Sequence, residues 1–325
     1  MGIDHVTVIG TGAWGTALAQ AAASAGRTVT LLGRDPEAVA LLNREHRHEA
    51  FSDVPLSPAI FADMLARTPP PSDLVILAVP AQASRAVLSA LDTSALSGLP
   101  VVLTAKGLEH RTLLRQSEIL GELAPDAVPF VLSGPSFARD VASGRPTAVT
   151  LAGDDADRTA AVAAALAGPS FRPYAAEDRL GVELAGALKN VYALACGAVD
   201  GAGLGASARS ALLARAYSEM ARLVVGLGGS AASLTGLAGL GDLTLSCTST
   251  QSRNYRFGAA LGAGEKPAAG ELAEGVTTTP VAAAIARRLG VDAPLIEAVE
   301  HLLGGRPDIE TIVAALMRRP LKRED

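Results

Sequence analysis

Lys189 is the lone cation in Glu183-Leu-Ala-Gly-Ala-Leu-Lys189-Asn190-Val-Tyr192, an otherwise apolar helical pattern. An ammonium on such a face is costly to bury unless it is paired or functional. Burial or neighbouring cations would lower its pKa, and it could then exchange a proton near neutral pH. A lysine snorkelling to the helix surface is the other reading, and the local residues leave both open. Histidine is the more usual proton carrier in hydride chemistry. His5, His46, His48 and His110 lie outside the strand-end motifs, and His301 falls in a late helical pattern. All five read as surface residues.

A second cluster runs from Gly236 to Asn254, and its glycine-rich first part, with Asp242, reads as a loop. Gly239 and Gly241 allow close backbone approach to a ligand, and Asp242 places a carboxylate beside them. Thr248, Ser249 or Thr250 could cap the helix that follows. Ser252, Arg253 and Asn254 would then fall near its first turn, where hydroxyl, guanidinium and amide groups can converge on an anion. A plain capped helix with a solvated arginine is the alternative.

These groups need a scaffold, and the N-terminus supplies its start. Val6-Thr-Val-Ile feeds Gly10-Thr-Gly12-Ala13-Trp14-Gly15, and an alanine-rich helical pattern follows. In the G-x-G-x-x-G spacing Gly10 permits a sharp turn, Gly12 admits a pyrophosphate and Gly15 lets helix and strand pack closely. The helix N-terminus offers unpaired N–H groups to the phosphates. A second strand, Arg27 to Gly33, leads into Arg34-Asp35. An acidic residue there suits the ribose of NAD and an arginine suits the 2′-phosphate of NADP. Arg34 comes first and favours NADP; NAD stays open, as does a solvated Arg-Asp turn.

Apolar runs at Asp73–Val79, Leu99–Thr104, Val128–Ser133 and Thr147–Ala152 read as buried strands. Helical patterns near 36–47, 82–91 and 111–123 lie between several of them. The alternation predicts an α/β Rossmann-type, doubly wound sheet with its ligand at the strand carboxyl ends, near Val79-Pro80, Thr104–Lys106 and Ser133–Ser136. From Glu177 onward only helical patterns appear, at 177–200, 206–227, 250–262, 280–289, 293–303 and 307–319. The expected organisation is a dinucleotide-binding domain over 1–175 and an all-α substrate-binding domain over 176–325. The tail from Arg318 to Asp325 reads as a frayed end.

With 325 residues, 49% of them hydrophobic, the chain can build two cores, and disorder is excluded. A net charge of −5 argues against a general nucleic-acid binder but allows a local basic pocket. The two cysteines, Cys196 and Cys247, belong to no paired motif and read as buried thiols of a cytoplasmic protein. No uninterrupted apolar run approaches the ~18 residues of a membrane span, and no secretory signal is visible. Alanine-rich helix faces could form a homodimer, though no single stretch specifies one.

The motifs GTGAWGTALA (10–19), AKGLE (105–109), SGPSFARD (133–140), ALKNVYALACGAVDGAGLG (187–205), GLAGLGDLTLSCTSTQSRNYRFG (236–258) and AEGV (273–276) together resemble the bacterial-type NAD(P)-dependent glycerol-3-phosphate dehydrogenases nearly end to end. The resemblance implies that Lys189 is the proton donor and acceptor. It implies substrate contacts from Lys106, Gly134, Ser136, Lys189, Asp242, Ser252, Arg253 and Asn254. It implies cofactor contacts from Ala13, Trp14, Arg34, Lys106, Ala138, Arg253, Leu272 and Glu274, beside the glycines Gly10, Gly12 and Gly15. The implied reaction interconverts dihydroxyacetone phosphate and sn-glycerol 3-phosphate, supplies phospholipid synthesis and needs no metal. Two other readings remain at this stage. A related dehydrogenase acting on a hydroxy acid would use the same anion cluster. A non-catalytic NADP sensor would not need Lys189, Asp242 and Arg253 together.

Overall fold

The computed structural model describes residues 2–268, 270, 272–305 and 309–320. Its first half is one sheet. The strands are β1 (His5–Ile9), β2 (Thr28–Gly33), β3 (Ile60–Met64), β4 (Leu74–Leu77), β5 (Pro100–Leu103), β6 (Val128–Ser133), β7 (Thr147–Ala152) and β8 (Phe171–Ala176). They lie in the order β3-β2-β1-β4-β5-β6-β7-β8, all parallel to their neighbours except β7 against β6. The order doubles back beside β1, as the strand–helix alternation predicts. The helices α1 (Ala13–Ser24), α2 (Pro36–Glu45), α3 (Ser84–Ala90), α4 (Gln116–Leu123), α5 (Ala138–Ala142) and α6 (Ala156–Leu166) belong to this half. The central strands β4 and β5 are buried at every residue, so they read as continuous apolar runs.

The edge strands β3 and β8 did not stand out in the sequence, for a physical reason. Each is half exposed and lacks a continuous apolar run, with Phe61, Met64 and Tyr174 among the exposed large side chains. β8 also carries Pro173, which an edge strand tolerates.

The second half is helical: α7 (Arg179–Gly201), α8 (Gly205–Gly226), α9 (Asp242–Thr248), α10 (Arg253–Gly262), α11 (Glu274–Leu289), α12 (Pro294–Leu303) and α13 (Ile309–Met317). The stretch expected as a loop from Gly236 onward is instead a π-helical turn, Leu237–Gly241, running directly into α9. α11 begins six residues before the expected start at 280 and carries Pro280 inside it. Residues 307 and 308 of the last helical pattern, and 321–325 of the tail, lie outside the described residues.

α7 is the axis of this half. At 23 residues it is ~34 Å long. It is long and apolar enough by composition to cross a bilayer, yet its most apolar window is wholly buried within the protein. A helix apolar on all sides is a core helix when other elements surround it. Small residues let those elements approach. A Cβ added at Gly197 or Gly201 of α7 would lie 2.0 Å from the carbonyl oxygen of Tyr255 or Ala259 on α10. One added at Gly258 or Gly262 of α10 would lie 2.0 Å from the carbonyl oxygen of Leu194 or Ala198. Two reciprocal glycine pairs therefore set the α7–α10 crossing, backbone on backbone.

Gly258→Ala should cost about 1–3 kcal/mol through overpacking. A clear fall in the thermal midpoint is expected; an unchanged midpoint would mean that the two helices can part without penalty.

Candidate active site

A cleft of about 600 Å³ opens at the carboxyl ends of the strands. Its lining includes Gly12, Ala13, Trp14, Val79, Pro80, Lys106, Ser136, Ala138, Lys189, Ser252, Arg253, Asn254, Leu272 and Glu274. The strand ends read from the sequence thus meet residues of the helical half around one space.

Three charged side chains form the floor. Lys189, on α7, donates from Nζ to Asp242 Oδ1 at 2.8 Å and to Ser246 Oγ at 2.6 Å. Lys106 follows β5 and donates to Asp242 Oδ2 at 2.6 Å and to the Gly134 carbonyl at 3.0 Å. Asp242 is 1% exposed, and each of its oxygens serves one ammonium. Burial alone would raise its pKa, but the two ammonium groups outweigh it and hold the carboxyl below its usual range. Burial pushes Lys106 down to about 8, helped by the nearby Lys189 cation and resisted by Asp242. The cluster holds two cations and one anion, which suits an anionic ligand or an oxygen that gains negative charge.

Amide groups lock this floor in place. Asn190 donates to the Lys106 carbonyl at 2.7 Å. Asn254 donates to Asn190 Oδ1 at 2.9 Å and accepts from the Gly275 N–H at 2.8 Å. Glu274, the first residue of α11, accepts from the Ala81 N–H at 3.1 Å. These bonds tie α7, α10 and α11 to the loops after β4 and β5.

The anion cluster differs in detail from its sequence reading. Ser252 itself is the N-cap of α10, accepting from the Tyr255 N–H, where Thr248, Ser249 or Thr250 was expected to cap. Asn254 is committed to its amide partners. The Arg253 guanidinium lines the cleft with no partner among the described residues. Ser136 lines it too, with its hydroxyl on the Gly134 carbonyl. Gly134, at φ +150°, could not carry a side chain, because a Cβ would lie 2.8 Å from Val149 Cα.

The glycine turn is built to hold a dinucleotide. A Cβ at Gly10 would lie 2.4 Å from the Ala78 carbonyl oxygen, and one at Gly15 would lie 1.9 Å from the Gly10 carbonyl oxygen. One at Gly12 would meet nothing within 4 Å. The outer two glycines are packing positions, while the middle one faces open space along the cleft. Gly12 is also the N-cap of α1 and provides no side-chain acceptor, so the first-turn N–H groups are left for a ligand. Trp14 adds an indole N–H that is buried and has no partner among the described residues. The residues present therefore fit a dinucleotide's phosphates. Arg34 is exposed just past β2, outside the cleft lining, while the Asp35 carboxylate caps α2 through the Glu37 N–H.

Some parts escaped the sequence reading. Ser246 shares the Lys189 proton network, but its four-residue spacing from Asp242 has meaning only on a helix, and that stretch read as a loop. Asn190 stands beside Lys189 with no local signal of its role. The expectation that all histidines lie at the surface fails for His48, which is 9% exposed. Cys196 and Cys247 are buried and free, as expected.

Residues 5–159 match the family model described as NAD-dependent glycerol-3-phosphate dehydrogenase N-terminus, and residues 178–314 match the corresponding C-terminus model. Glycerol-3-phosphate dehydrogenase [NAD(P)+] of Caulobacter vibrioides is 46% identical over 330 residues, covering 100% of both chains. That of Brucella ovis is 47% identical over 322 residues, covering 98% of this chain and 99% of the relative. The crystal structure of glycerol-3-phosphate dehydrogenase from Coxiella burnetii superposes with a TM-score of 0.89 at 34% identity, covering 98% of this chain and 99% of that one. Fold, site and full-length similarity agree, and the chain belongs to the NAD-dependent glycerol-3-phosphate dehydrogenase family.

Proposed function

We propose that the protein interconverts dihydroxyacetone phosphate and sn-glycerol 3-phosphate with NADPH or NADH. The observation that carries this reading is Asp242 shared by two lysines beneath a cleft that runs from the glycine turn to Arg253. Gly10, Gly12, Ala13, Trp14 and Gly15 hold the pyrophosphate side of the cofactor. Arg34 meets its ribose end, and Ala138, Leu272, Glu274, Lys106 and Arg253 line the rest of its path. Residues 1–175 form the cofactor domain and 176–325 the substrate domain.

When bound, the reduced nicotinamide supplies a hydride to the substrate carbonyl carbon. Lys189 gives its proton to the carbonyl oxygen as negative charge develops there. Asp242 and Ser246 fix the Lys189 ammonium in place. Lys106 adds a second cation on the same floor and stabilises that charge electrostatically. Arg253 pairs with the substrate phosphate, supported by Ser252, Asn254, Ser136 and Gly134. The reverse reaction uses the same groups, with Lys189 accepting the proton. No described side chain needs a metal for these roles. The family resemblance supports a place in phospholipid precursor supply and in the cytoplasm. The net negative charge supports a role without nucleic acid, and the burial of α7 supports one without membrane insertion. Ala206, Ala211 and Ala214, exposed on α8, support a homodimer.

The direct test is oxidation of NADPH and of NADH with dihydroxyacetone phosphate and with unphosphorylated dihydroxyacetone. Rapid turnover confined to the phosphate ester is expected, and turnover of both ketones alike would remove Arg253 from a phosphate site. Lys189→Ala should lower kcat by ~10²–10⁴-fold. Near-normal turnover in that variant would assign the proton to another group.

Lys106 carries charge below its pKa of about 8 and loses it above. kcat/KM for reduction should therefore fall as pH rises through about 8. Lys106→Arg keeps its proton throughout the accessible range, so this alkaline limb should vanish in that variant. A limb that stays at the same pH belongs to a different group.

A further inference from the structure

We propose that His48 is a positioning residue that aims the glycine turn at the cofactor's pyrophosphate. The inference rests on the dinucleotide reading of the turn given above. His48 follows α2 in a segment that also brings Ala50 and Phe51 to the cleft wall. Its Nδ1 accepts from the Ala50 N–H at 3.0 Å. A ring nitrogen that accepts an N–H carries no proton, so the neutral imidazole bears its hydrogen on Nε2. That Nε2–H donates to the Thr11 carbonyl at 3.0 Å. The Thr16 hydroxyl also reaches this oxygen, at a longer 3.4 Å. Phe51 stacks on the imidazole, with ring centroids 4.9 Å apart at 26°, and fixes its plane.

Thr11 lies between Gly10 and Gly12. In a trans peptide the C=O of one residue and the N–H of the next point in opposite directions. A bond that holds the Thr11 carbonyl on His48 therefore also fixes the Gly12 N–H on the opposite side. Gly12 lines the cleft and has no side chain to restrict its peptide. Without His48, rotation of this one peptide would replace a donor with a carbonyl oxygen, which repels phosphate. The bland alternative, a buried histidine that only caps the Glu49–Phe51 turn, uses Nδ1 alone and leaves the Thr11 contact unexplained.

Asparagine and glutamine separate the two jobs. His48→Asn keeps an acceptor for the Ala50 N–H but does not reach Thr11, whereas His48→Gln can place a donor near Thr11. Trp14 is the only tryptophan and lines the same cleft, so its fluorescence reports NADPH binding without substrate. The Kd for NADPH should rise ~10-fold in His48→Asn, the worth of a hydrogen bond at the upper end of the usual range. His48→Gln should recover most of that loss. With saturating cofactor, kcat and the KM for dihydroxyacetone phosphate should stay within about twofold of the parent. An NADPH Kd in His48→Asn equal to the parent's would overturn the assignment. So would an equal loss of kcat and of affinity for both ligands, which marks general destabilisation. A parent chain that binds no NADPH would overturn the dinucleotide reading itself and this inference with it.

Discussion

Asp242 is almost wholly removed from solvent, with one ammonium on each oxygen. Lys106 comes from a strand end of the sheet, Lys189 from α7, and Asp242 from the helix that follows the π turn. An isolated buried charge costs several kcal/mol, so none of the three side chains is stable there alone. The carboxylate makes the second lysine tolerable, and the surplus positive charge gives the cleft its preference for anions. The rest of the architecture can be read as what is needed to bring three distant segments to one carboxylate.

That requirement explains why α7 is so closely wrapped. It must carry Lys189 to the cleft from inside a core, and large side chains such as Met220, Leu223 and Leu243 pack in the same cluster. The glycine pairs shared with α10 bring the two backbones together and so set where α10 begins. Ser252 and Arg253 stand at that beginning, so the height of the cationic group over the floor follows from a packing choice made about one and a half to three helical turns away.

Much of this was legible in the residue order because local chemistry determines it. The glycine spacing, the apolar strands β4 and β5, and a lysine stranded in an apolar helix each carry their meaning within about a dozen residues. Edge strands β3 and β8 were not, since half-exposed strands lose the apolar run that marks a buried one. Asp242 was found but misplaced. A glycine-rich stretch looks like a loop, and nothing local says that Leu237–Gly241 winds into a π turn continuous with α9. Ser246 was lost by the same error. His48 has no local signature, because its partner Thr11 lies 37 residues earlier and meets it only in the folded chain.

Lys106 is held twice from the helical side, by Asn190 at its carbonyl and by Asp242 at its ammonium. Its ammonium also donates to the Gly134 carbonyl just past β6, so the same loop stays moored to its own sheet. Asp242, gripped by both ammonium groups, sets the separation of the lysine pair. The proton-handling centre is thereby one part that the two halves hold in common.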